Sequence, residues 1–167
     1  MKKLVQLTLL AVLIPTLCHG EQNISRQVKE EHSGIAALSP ELRQLFSREM
    51  IELQNGMMAI IPLYISGNLG DIANIARKME SSYVLKQNLS KSQAHELHSK
   101  LPSSFIVLDQ QFHYFAGMLE HVANMDKIEL VGFYISKMSE TCIRCHTEYA
   151  THRFPALAPK RQDEHSH

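Results

Sequence analysis

The sequence predicts an all-α fold, an up-down-up-down four-helix bundle, and three observations point that way. Apolar residues recur at alternating spacings of three and four along much of residues 39–150. Helix-start signals stand ahead of several of these stretches. No stretch shows sustained strand alternation bounded by hairpin turns. With 167 residues the chain fits one domain that can bury a real core.

The elements follow in order. Ser39-Pro40-Glu41 offers an N-cap, a proline at the first helical position and an acid in the first turn. Phe46, Met50, Leu53, Met57, Ile60 and Tyr64 then form a heptad-like seam on one face. Pro62 falls inside this pattern and should kink or shorten the helix near its end. Ser66-Gly67-Asn68 is a turn, and Asp71 opens a second helix running to about Leu89 on a weaker stripe. Ser90 and Ser92 start a further helical segment that meets Pro102. Beyond it Phe105, Leu108, Phe112, Phe115, Leu119 and Val122 mark the third main helix. Ile128, Val131, Ile135, Met138, Cys142, Cys145 and Tyr149 mark the last.

The ends read differently. Lys2 and Lys3, the mostly apolar run Leu4 to Ile14, and Pro15 ahead of Cys18-His19-Gly20 read as an export signal over residues 1–20. That run is too short to span a bilayer, so the chain is not read as membrane-spanning. A lipoprotein reading would place Cys18 at the mature N-terminus, but bulky Leu17 stands where a small residue is wanted. Residues 21–38 read as a flexible leader, 39–155 as the folded domain and 156–167 as a flexible tail. Without the signal the chain holds 15 basic against 17 acidic groups, too balanced for a nucleic-acid binder.

Export leaves two cysteines, Cys142 and Cys145, which cannot build a disulfide framework. Cys142-Ile143-Arg144-Cys145-His146 is the c-type haem attachment pattern. On a helix, positions i, i+3 and i+4 share a face, so two thiols and an imidazole converge on one object. The sequence therefore predicts one covalently bound haem c per chain, with His146 as an iron ligand. Both cysteines continue the apolar seam, which would put the porphyrin in the bundle core. A zinc ribbon would need a second ligand pair. A thioredoxin-like pair belongs at a helix N-terminus after a strand.

In such a bundle the end of the last helix lies beside the start of the first. Arg43, Phe46, Ser47 and Met50 are therefore the residues expected to face the iron. Met50 is the only good iron ligand among them, and it reads equally well as a core methionine. Arg43 either meets a haem propionate or is a solvated end-of-bundle arginine.

From Arg43-Gln44, through Phe105 and Phe112, to Cys142-Ile-Arg-Cys-His146 followed by Tyr149, the chain resembles the cytochrome c′ class over about residues 40–153. The resemblance implies a four-helix bundle, an early Arg-Gln pair, aromatics in the third helix, a Tyr shortly after the His, and in many members an antiparallel homodimer. There are departures. Ala150 stands where a basic residue usually follows the Tyr, and Ser47 occupies the distal place that often carries Leu or Met.

The remaining histidines add little. His95-Glu96-Leu97-His98 lacks a third ligand at a recognisable spacing and reads as surface. His113 and His121 read as solvent-facing or hydrogen-bonded, and His165 and His167 as tail residues. The expectation is an exported, periplasmic monohaem cytochrome that moves electrons to or from a redox partner, without enzymatic activity. The alternative is a five-coordinate binder or buffer of small gases such as nitric oxide. A third reading, from another class, is a haem-free helical scaffold binding metal through histidines.

Overall fold

The computed structural model describes residues 34–82 and 89–159. The signal reading of residues 1–20 and the last residues of the tail lie outside them. The described residues are all-helical, without a strand. The α-helices are α1 (Pro40–Ile65), α2 (Leu69–Ser81), α3 (Lys91–Lys100), α4 (Ser103–Asn124) and α5 (Ile128–Tyr149). Short 3₁₀ turns, Ile35–Ala37 and Pro155–Leu157, flank them.

Local chemistry sets the boundaries. Pro40 sits at the start of α1 behind Ser39, and Pro62 lies inside the helix, one turn from its end. The missing Pro62 N–H forfeits one bond, yet α1 continues to Ile65. Asn68 caps α2 by accepting a hydrogen bond from the Asp71 N–H at 3.3 Å, so this helix starts two residues before Asp71. Its described span runs to Ser81, where Ser81 and Ser82 donate their hydroxyls to the Lys78 and Met79 carbonyls, and the rest of the expected stretch toward Leu89 lies in residues 83–88, outside the described ones.

The sequence predicts four helices in the bundle, and the described residues hold five α-helices. The Ser90–Pro102 segment is a helix of its own, opened by a capping box in which Ser90 and Gln93 exchange hydrogen bonds. Pro102 drives the residue before it out of the helical region, and Leu101 is extended with φ −84° and ψ 131°. The break turns the chain into α4 as a separate element.

The apolar residues form two clusters. The main core joins Leu53 and Ile60 of α1, Ile72, Ala76 and Met79 of α2, Phe112, Leu119 and Val122 of α4, and Val131, Ile135 and Met138 of α5. Close approach depends on two glycines. A Cβ on Gly56 would meet the Met79 sulfur at 2.6 Å, and one on Gly132 would meet the Tyr64 hydroxyl at 2.5 Å. The second core lies toward the start of α1 and is made by Leu38, Leu42, Phe46, Leu97, Leu101 and Phe105. It uses residues from 34–38, a stretch expected from the sequence to be leader. Leu38 is buried, and the Gly34 N–H donates to the Lys100 carbonyl at 2.9 Å.

Candidate functional site

Cys142, Cys145 and His146 all lie within the last two turns of α5. Both thiols are free and half-buried. They face different neighbourhoods: Cys142 packs against the main core, Cys145 against the second. The pair therefore bridges the two clusters. Burial pushes both thiols up, Cys145 to about 12, with the nearby charge of Asp109 adding to the effect. A redox-active or metal-binding cysteine pair needs its thiols pushed down, so the environment favours neutral thiols over thiolates.

His146 is half-buried, and its ring stacks on Phe154 with centroids 4.2 Å apart and planes 11° from parallel. Desolvation, then the positive charge of Arg153, hold its pKa below the usual imidazole value. The ring is neutral near pH 7, as a metal-binding imidazole must be. Tyr149, one turn beyond Cys145, packs edge-on against Phe105 at 5.3 Å. Its hydroxyl bonds Ser104 across to α4 and donates to Glu148 at 3.1 Å.

The expected distal residues separate. Phe46 is buried and lies edge-on to Phe105 at 5.9 Å, so Phe46, Phe105 and Tyr149 form one aromatic stack beside Cys145. Met50 is half-buried against the main core, the cluster that Cys142 also borders. Ser47 is exposed. Arg43 is exposed as well, and its guanidinium donates to the carbonyls of Leu38 at 2.7 Å and Ala36 at 3.3 Å. It closes the 3₁₀ turn ahead of α1.

Two thiols at i and i+3, a following imidazole and apolar groups of both cores bordering the thiols are the donor set that a covalently held haem would use.

Between the two cores lies a polar layer that the sequence reading did not assemble. Among the described residues, Glu49, Asp109, His113 and Thr141 are the buried polar or charged ones. Glu49 falls between Phe46 and Leu53 on α1, and Asp109 between Phe105 and Phe112 on α4. His113 Nε2 stands 3.5 Å from Glu49 Oε1 and 3.8 Å from Asp109 Oδ1. Nδ1 of the same ring lies 2.8 Å from the Met79 carbonyl of α2. Desolvation raises Asp109 to about 7. The available signal was that all three lie at seam spacings, with Glu49 three residues after Phe46 and His113 four after Asp109. Phe154 and Ser104 were also missed. Their partners are 8 and 45 residues away, and no periodicity marks them.

Of the other histidines, His95, His98 and His121 are exposed, and His113 is hydrogen-bonded and buried. No helix among the described residues is long and apolar enough to cross a membrane. Comparison with protein-family models, curated proteins and solved structures gave no match.

Proposed function

We propose that the chain is an exported, periplasmic monohaem c-type cytochrome of the kind the cytochrome c′ class represents, folded as an up-down-up-down four-helix bundle around its haem. Cys142 and Cys145 hold the porphyrin through thioether bonds, and His146 supplies the proximal imidazole. The observation that carries this reading is the Cys-x-x-Cys-His on one continuous helix, its two thiols bordering two different apolar clusters. A haem so held supplies one-electron chemistry, or an open coordination position for a small gas.

Electron transfer is the leading role. Its support is the position of Met50 against the cluster that Cys142 also borders, where its thioether would be the candidate second iron ligand. A second reading, gas binding, draws on Phe46. That ring is buried on α1 in the cluster holding Cys145 and Tyr149, and it would shield the iron without ligating it.

One oxidised and reduced optical spectrum tests both levels. Mature protein made with haem-maturation machinery should show the narrow reduced bands of a haem whose vinyl groups are saturated. Absence of haem bands from well-folded protein would refute the proposal. Ready carbon monoxide binding by the reduced protein would shift the role from electron carrier to gas binder.

A further inference from the structure

The polar layer between the two cores is built from groups seldom buried together. The side chains of Glu49 and His113 are each 2% exposed and that of Asp109 6%. Two carboxylates this close repel one another, and burial penalises their charge further, so a cation among them would relieve both costs. Asp109 Oδ2, wholly buried, has no hydrogen-bond partner. One carboxylate oxygen from each acid and one ring nitrogen of His113 all lie within 4.8 Å of one another.

His113 is oriented for coordination. Its Nδ1 faces the Met79 carbonyl at 2.8 Å, and a carbonyl only accepts, so Nδ1 carries the hydrogen. That leaves Nε2 turned toward the two carboxylates. A backbone carbonyl fixing one imidazole nitrogen while the other meets a metal is the usual supporting arrangement around a ligating histidine. The Nε2 separations of 3.5 and 3.8 Å are too long for direct N–H···O hydrogen bonds. They suit neighbouring ligands of one ion, because bonds of about 2.0–2.2 Å in a tetrahedral shell set donor atoms roughly 3.4 Å apart.

We infer that Glu49, Asp109 and His113 bind a divalent first-row transition-metal ion at the junction of α1 and α4. One imidazole with two carboxylates suits zinc, manganese or iron(II). It is too nitrogenous for calcium or magnesium and too hard for copper(I). Three protein ligands leave a coordination position for water. Thr141, the remaining buried polar residue, commits its hydroxyl to the Lys137 carbonyl and is not a ligand. The ligands differ from the residues proposed to hold haem, and haem iron is counted separately in the test.

The probe is zinc chloride. Full-length mature protein, freed of loosely held metal with a chelator, is dialysed to equilibrium against zinc, and zinc is measured against protein. The wild type should retain a single zinc equivalent and melt at a higher temperature with zinc than without. Glu49→Gln and Asp109→Asn keep shape while removing charge, and each should weaken retention by ~10-fold or more. Replacing His95 and His98 together by alanine should leave it unchanged. Zinc X-ray absorption on the wild type should show one imidazole in an otherwise oxygen shell, which decides the matter if the variants fail to fold. A wild type that retains no zinc overturns the site. So does a shell of several imidazoles, or zinc retention that survives both carboxylate changes.

Discussion

Met50 is the residue on which the proposed role turns. It is half-buried against the main core, which Cys142 also borders, and its thioether is the one side chain among the expected distal residues able to bind iron well. If Met50 ligates, oxidised protein should be low-spin with the weak near-infrared sulfur-to-iron band. Met50→Ala should then become high-spin and take up carbon monoxide when reduced. A wild type already high-spin makes Met50 a packing residue and favours the gas-binding reading. The neighbouring residue shows where sequence reading stops. Glu49 and Met50 lie three and four residues after Phe46, so either can continue the seam, and apolarity selects Met50. The fold instead buries Glu49 more deeply, because Asp109 and His113 of α4 meet it across the junction. No local pattern on α1 announces partners that distant. By contrast, the placement of Cys142, Cys145 and His146 together near the end of one helix was legible in the sequence, because their spacing sets it.

At the scale of elements, α3 works as a clasp on the entrance to α1. Glu96 accepts a hydrogen bond from the Ser39 N–H, and Lys100 donates to the Ala37 carbonyl at 2.7 Å. The Ser39 bond, more than the Lys100 charge, holds the Glu96 carboxyl below the usual glutamate value of 4.5. A carboxylate depressed in the folded state stabilises fully above its unfolded pKa and loses that contribution as pH falls through the folded value. The Ser39 amide resonance should therefore move as pH drops below about 4.5. In Glu96→Gln it should stay flat; a titration that persists there would assign the clasp to another group. Pro102, Ser90 and Gln93 make α3 readable as a helical segment. Its attachment to residues 34–39 was not readable, since a polar leader and a docked strap differ only in long-range hydrogen bonds.

For the whole molecule, the cysteines border two apolar clusters with a polar layer between them, and a covalent porphyrin would join what the chain alone leaves divided. A group whose packing and ligation exist only in the folded state stabilises that state, and thioether bonds would keep such a group on the chain. The double variant Cys142→Ser, Cys145→Ser should therefore melt at a lower temperature than the haem-bearing protein. The loss should be at least that of one large-to-small core substitution, about 2–5 kcal/mol. The second core, built from short segments around Leu38, Leu97 and Phe105, should loosen first. Equal, cooperative melting of both forms would mean the chain does not need haem to hold its clusters together.

The central claim is the covalent attachment, and retention of pigment tests it most directly. Mature protein from a haem-maturing host is extracted with acid acetone, run on a denaturing gel and weighed by mass spectrometry. The account predicts that colour stays with the polypeptide, that its mass rises by one haem, and that Cys142→Ser or Cys145→Ser leaves a single, weaker thioether and little accumulated product. Pigment passing wholly into the acetone, or a polypeptide mass equal to the bare mature chain, would contradict it.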